Sequence, residues 1–250
     1  MSLGLIISLV SILIQALLVI HVIKTGRNTI WIWVIVLLSY AGILAYLAVE
    51  VIPELLRSRT AQRTARGFKK ALDPDADLRR LEGEARLTGN VASRQRYAEE
   101  LVRRGRYAEA VEIYRQTLSG LYEHDPNLML GLARAQFGQA DAAGARATLD
   151  ELIHHNPDFK SPEGHLLYAR ALEAEGNVDK ALEEYRVLAP SYPGAEAAVR
   201  YAQLLSSQGR RGEAASVARD LLEQARIAPA HYRRAQKSWL DSAERLAAGR

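Results

Sequence analysis

The stretch Arg96–Leu118, RYAEELVRRGRYAEAVEIYRQTL, decides the fold of most of this chain. It reads as two amphipathic helices that close on Gly105 and return, a hairpin built to stack on copies of itself. Tyr97-Ala98 places a large residue beside a small one before the turn, and Ala110 supplies a second small residue five positions after it. Antiparallel helices approach to ~8–10 Å only where a side chain is small, with the larger neighbour filling the groove beside it. One such hairpin leaves a face uncovered, so further copies are expected.

The copies are present. Aligning on a closing glycine gives Gly105, Gly138, Gly176 and Gly209, with steps of 33, 38 and 33 residues. A period near ~34 is the mark of a stacked helical-hairpin array. The large-small pairs then read Leu130-Gly131, Tyr168-Ala169 and Tyr201-Ala202, and the second small residues Ala143, Ala181 and Ala214. Tyr114 and Tyr185 fall at equivalent places on second helices, whereas the second and fourth copies have Ala147 and Ala218 there. Pro126, Pro157, Pro193 and Pro229 interrupt the chain between hairpins. The extra residues before the third copy fall in HNPDFKSPEG, where Ser161 is placed to cap a helix with Pro162 at its first position.

These residues resemble the tetratricopeptide repeat over positions 91–229, most clearly in the first and third copies. The resemblance implies an α-solenoid that binds an extended peptide or partner helix on the concave face lined by the first helix of each hairpin. Carried over position by position, the lining residues are Gln95, Arg96, Glu99 and Arg103 in the first copy and Met129, Leu132 and Gln136 in the second. The third copy contributes Leu167, Arg170 and Glu173, and the fourth Arg200, Gln203 and Ser207. Members that grip a C-terminal carboxylate use asparagines where this chain has Glu99 and Leu132, so that clamp is not built. The final segment, 230–250, resembles the solvating end helix such arrays need, with Tyr232, Ala235, Trp239 and Ala243 facing the last hairpin.

The other end of the chain belongs to a different solvent. Leu3–Ile23 holds one amide, Gln15, and no charge, and Thr29–Ile52 is uncharged until Glu50. Each run is long enough to cross a ~30 Å hydrocarbon core as a helix. Only Lys24–Asn28 separates them, which implies an antiparallel transmembrane hairpin over 1–55 with both chain ends on one side. A cleaved signal peptide fits poorly, because MSLG carries no positive side chain and no small-x-small site follows. Trp31 and Trp33 suit the head-group level, and the small pairs Gly4/Ser8 and Ala41/Ala45 suit close helix approach, within a chain or in a homo-oligomer. The second run, with Trp33, Gly42 and Tyr46, partly resembles the two-span N-terminal segment of bacterial cardiolipin synthases, without the proline usual before the glycine. That family's catalytic H-x-K motif is absent. Taken whole, the chain resembles bacterial membrane-anchored proteins with divergent tetratricopeptide repeats.

Charge is divided along the chain. Residues 1–70 carry eight basic and two acidic side chains, residues 71–250 carry 25 and 27. Arg57, Arg59, Arg63, Arg66, Lys69 and Lys70 follow the second run and outweigh Lys24 and Arg27 in the turn. The heavier basic flank stays inside, which predicts both termini and the array in the cytoplasm at a bacterial inner membrane, with the cluster lying on anionic head groups. The acidic balance beyond residue 70 and the lack of a basic stripe argue against nucleic acid.

Chemistry is sparse. Without cysteine there are no disulfides, thiolate metal sites or cysteine nucleophiles. Asp73, Asp75, Asp77 and Glu84 mimic a calcium-loop spacing, but Leu78 stands where glycine is required; an acidic helix start running to about Leu87 reads better. Adjacent His154 and His155 point in different directions on a helix, and no nucleophile turn or phosphate loop is present. The expectation is an all-α protein, not an enzyme, with no cofactor: an anchor (1–55), a basic connector with a leading helix (56–90), four hairpins (91–229) and a cap (230–250). Its expected role is a membrane-tethered scaffold or adaptor for a protein or peptide partner. Two alternatives are an envelope or cytochrome-assembly factor with the array outside the cytoplasm, and a non-catalytic accessory of a membrane lipid enzyme.

Overall fold

The computed structural model describes residues 3–26, 28–37, 41, 45–51 and 73–249. They fall into two units, Met1–Ala76 and Asp77–Arg250.

In the first unit α1 (Leu3–Lys24) turns at Thr25-Gly26, and α2 (Ile30–Leu37) packs back against it. The contact is made by Val22, Ile35 and Tyr46, all fully buried, with Leu18, Val19, Trp31 and Ile32 around them. Inside this apolar contact His21 Nδ1 meets the Tyr46 hydroxyl at 2.9 Å, and Trp31 lies edge-on to the Tyr46 ring. Ala41 and Ala45 are exposed, so the helices do not approach through them as the small-residue spacing suggests. A π-helical turn follows at Leu47–Val51. Side chains of the unit are described from Ile12 onward, and among the described residues no helix is long and apolar enough to cross a membrane. The two-span reading therefore rests on the sequence pattern. Gly4 and Ser8 side chains, Arg27, Gly42, and the basic series Arg57, Arg59, Arg63, Arg66, Lys69 and Lys70 lie outside the described residues.

The second unit is all helix among its described residues. A leading helix α3 (Ala76–Thr88) precedes four hairpins: α4 (Val91–Arg103) with α5 (Tyr107–Thr117), α6 (Pro126–Gly138) with α7 (Ala142–His155), α8 (Pro162–Ala174) with α9 (Val178–Leu188), and α10 (Glu196–Ser207) with α11 (Arg211–Ile227). The leading helix belongs to the array rather than to a connector, because Leu78, Leu81 and Ala85 share one core with Tyr97, Leu101 and Val111. The end segment is broken into α12 (Ala230–Ala235) and α13 (Lys237–Ala247). The second of these packs on α10 and α11 through Ala243 and Trp239, while Ala235 is exposed, contrary to its expected place against the last hairpin.

Local chemistry places the helix starts. Asp125, with Pro126 behind it, accepts from the Asn127 and Leu128 amides; Asp141 accepts from Gly144, and Ser161 from Gly164 with Pro162 at the first position. Each satisfies backbone donors that the first turn leaves free. The first-helix ends obey one rule. The amides of Arg106, Asp141, Asn177 and Arg210 bond to the carbonyls of Leu101, Gln136, Leu172 and Leu205, each at 2.9 Å, five residues back. The residue before each donor is left-handed: Gly105 (φ 74°), Ala140 (φ 68°), Gly176 (φ 78°) and Gly209 (φ 77°). This is a Schellman closure repeated four times.

The second closure falls on Ala140, not on Gly138, and this corrects the alignment read from sequence. Gly138 is helical; a side chain there would collide with Tyr107. The true steps are 35, 36 and 33 residues. In this register the small crossing residues of the second hairpin are Ala133 and Ala145, both fully buried, rather than Gly131 and Ala143. Leu149, 2% exposed, and not Ala147, takes the place of Tyr114 and Tyr185, so the second hairpin still lacks the aromatic but fills its position with a buried leucine.

Candidate partner-binding face

First helices of neighbouring hairpins touch, α4 with α6 and α6 with α8, while successive second helices have no comparable contact among the described residues. The row of first helices is thus the tighter, inner side of the curve. In the corrected register one position of this row holds Glu99, Arg134, Arg170 and Gln203, each exposed or half-exposed. The position two turns earlier holds Ala92, Asn127, Glu163 and Glu196.

Several residues expected on this face are there. Gln95 donates to Glu99 at 2.9 Å. Glu173 accepts from the Tyr185 hydroxyl at 2.7 Å; burial first, and then this bond, pushes the Tyr185 phenol far above its usual range. Gln203 is exposed, and Ser207 bonds its own helix through the Leu204 carbonyl at 2.7 Å. Arg96 is turned toward the leading helix, where it pairs with Glu84, and Arg103 pairs with Glu100.

Four expected residues are not on any free surface. Met129 and Leu167, 3% and 6% exposed, pack together with Leu149 and Leu152 in the core between hairpins two and three. Leu132 is buried in the first core. Gln136 stands where the other copies have Leu101, Leu172 and Leu205, and accepts a buried hydrogen bond from Thr148 at 2.8 Å. The physical cause is the two-residue error at Gly138: shifting Met129, Leu132 and Gln136 by two gives Gly131, Arg134 and Gly138. Of these Arg134 is the exposed side chain, with no carboxylate within 4.0 Å among the described residues.

Other residues of the face had no signal in the repeat spacing. Arg170 lies over Phe137, 4.7 Å from the ring centroid, and Arg200 lies 5.4 Å from the Trp239 centroid. Glu196 sits between the two arginines, 2.8 Å from Arg200 and 3.9 Å from Arg170. Burial, and then the neighbouring Arg200, lowers the Arg170 pKa from its ordinary value. Burial first, and then the charges of Glu196 and Glu163, push the Tyr192 phenol up, against the opposing pull of Arg170 and Arg134. Toward the α4 end a depression of about 290 Å³ is lined by Gln95, Glu99, Tyr114, Arg134 and the 159–163 segment. A second cavity, about 620 Å³, lies between α7, α8 and α9, with apolar walls from Leu149, Leu152, Phe159 and Leu188 and a His165–Glu184 pair at 2.7 Å.

No three histidine or acidic side chains among the described residues are placed to hold a metal ion. The His155 ring stacks on His124 with centroids 3.6 Å apart, and His154 meets it edge-on at 4.9 Å.

Comparison with known proteins agrees with this geometry. A tetratricopeptide-repeat family model matches residues 101–163, from the end of α4 to the start of α8. The array is a tetratricopeptide-like solenoid. The MamA 41-end structure from Desulfovibrio magneticus RS-1 superposes with a TM-score of 0.55 at 15% identity, covering 66% of this chain and 93% of that one. The thermophilic tetratricopeptide protein TTC0263 from Thermus thermophilus gives 0.51 at 19% identity, covering 75% and 95%. At such identities the likeness is one of fold. No curated protein matches the sequence.

Proposed function

We propose that this chain is a membrane-tethered, non-catalytic scaffold that holds a protein or peptide partner on the inner face of its array, on the cytoplasmic side of a bacterial inner membrane. The observation that carries the scaffold reading is the column Glu99, Arg134, Arg170 and Gln203: polar side chains at one register position of four successive hairpins, none of them a member of a hydrophobic core. An extended ligand crossing the first helices meets each of these side chains in turn.

The tether is supported by the first unit. Ile12, Leu13, Leu17, Ile20 and Ile23 on α1, with Ile30, Trp33, Val36 and Leu37 on α2, are all exposed, from 49% to 73%. A contiguous apolar surface of that kind marks contact with lipid or protein rather than water. The uncharged runs of the sequence favour lipid, and the basic series from Arg57 to Lys70 favours anionic head groups on the array side. Holding the array at a surface raises its effective concentration toward membrane partners, so modest affinity suffices.

The chain has no cysteine, which makes Ser207→Cys a clean reporter. In membranes washed with alkaline carbonate the protein remains in the pellet, and in intact cells a membrane-impermeant maleimide labels Ser207→Cys only after lysis. Release by carbonate overturns the tether. Labelling of intact cells overturns the cytoplasmic side and favours the envelope-assembly alternative.

A further inference from the structure

Arg170 and Arg200 occupy adjacent first helices, and each is backed by an aromatic ring, Phe137 under one and Trp239 under the other. Glu196 lies between them. It accepts from Arg200 Nε at 2.8 Å and lies 3.9 Å from Arg170, so it is committed to Arg200. Glu173, the other acid near Arg170, is engaged by the Tyr185 hydroxyl. The Arg170 Nε–H is buried and has no acceptor among the described residues. One hairpin earlier Arg134, the register equivalent of Arg170, is exposed and has no carboxylate partner among the described residues. The Glu99 end of the column is occupied by Gln95.

We infer that the α6–α8–α10 part of this face binds acidic side chains of an extended peptide, with Arg134 and Arg170 as the principal contacts and Arg200 shared with Glu196. The buried Arg170 Nε–H, which the fold leaves unpaired, marks a guanidinium held short of acceptors, and a ligand carboxylate at its terminal nitrogens adds the negative charge that the fold does not supply. Stacking on a ring holds the guanidinium plane still and leaves its edge free for a two-point bond to a carboxylate. Spacing agrees as well. An extended chain advances ~3.3 Å per residue, so carboxylates a few residues apart meet arginines on successive first helices. This inference rests on the proposed inner-face function and adds the chemistry of the partner.

The test is fluorescence anisotropy with the full-length protein in a neutral detergent. The probe is a fluorescein-labelled, C-terminally amidated octapeptide of alternating Glu and Ala, and its Lys-Ala counterpart is the control. The acidic peptide binds, more weakly as salt is raised, and the basic one does not. Arg170→Gln weakens binding by about 10- to 100-fold, the range for one charge-assisted bond. Arg170→Lys does not restore it, because the planar fork is gone. Arg134→Gln, which removes no ion pair of the fold, weakens binding with an unchanged circular dichroism spectrum, and Arg115→Gln on α5 has no effect. No binding of the acidic peptide, equal binding of both peptides, or indifference to Arg170→Gln and Arg134→Gln overturns the inference. Photo-crosslinking from Gln203 in cells separates the two readings. Capture of a discrete partner there, without acidic-peptide binding, leaves the scaffold function standing and removes the acidic specificity. Capture at neither removes both.

Discussion

Tyr114 of α5 fills the space that any side chain at Gly131 of α6 would need, and Tyr107, seven residues earlier, does the same at Gly138. Two tyrosines on one helix are thus seated on two glycines of the next, each pair two turns apart, and this contact joins the first hairpin to the second.

Replacing Gly131 with alanine sets intrinsic preference against packing. Alanine favours a helix interior by about 1 kcal/mol over glycine, yet overpacking a filled site costs about 1–3 kcal/mol, and the site is closed by a buried ring. Gly131→Ala should lower the thermal midpoint by several degrees. A raised midpoint would mean that Tyr114 moves aside freely.

The register makes a prediction of its own at Ala140. A non-glycine residue in the left-handed region costs roughly 1–2 kcal/mol, and Ala140 sits at φ 68°. Ala140→Gly should therefore stabilise the array by about 1 kcal/mol, measured by urea denaturation. If Gly138 were the closing residue, glycine at 140 would bring no gain.

The buried pair Gln136–Thr148 replaces an apolar contact. Thr148→Val leaves the Gln136 amide without its partner and should cost about 1–3 kcal/mol. Adding Gln136→Leu should recover most of that, because leucine stands at this position in the other three hairpins. A double mutant no more stable than the single would show that the hydrogen bond itself is needed.

Alkaline pH should unfold the array ahead of general chemical damage. Burial, and then the hydrogen bond to Asp150, pushes the Tyr168 phenol up to about 12, and Tyr114 and Tyr185 are raised further, by burial first. An unfolded tyrosine ionises near ~10. The unfolded chain thus loses its proton first, so this stability is complete below pH ~10 and declines as pH rises through about 12. Tyr168→Phe should flatten part of that decline, followed by circular dichroism against tyrosinate absorbance.

How much of this was legible in sequence depends on where glycine was ambiguous. Gly105, Gly176 and Gly209 close their helices as read, and the core positions Ala98, Tyr114, Ala169, Ala181, Tyr185, Ala202 and Ala214 follow from them and are buried. Gly138 misled because glycine serves two physical ends, a left-handed turn and a close approach, and the spacing cannot tell them apart. From that one substitution of roles came Met129, Leu132 and Gln136 on the wrong side of α6. Leu167 failed for another reason: its position faces outward where an arginine fills it, as at Arg200, and inward where leucine does. Phe137 and Glu196, and the part that Trp239 plays beneath Arg200, were invisible because they seat arginines from other helices, a relation set by packing between hairpins and not by any period.

The central claim is that the first-helix face is the working surface. A photo-crosslinkable residue placed at Gln203 on that face, and separately at Arg115 on the outer helix α5, tests it most directly in cells expressing the full-length protein. The account predicts a discrete crosslinked protein from Gln203 and none from Arg115. Crosslinking from Arg115 alone, or equally from both, would contradict it.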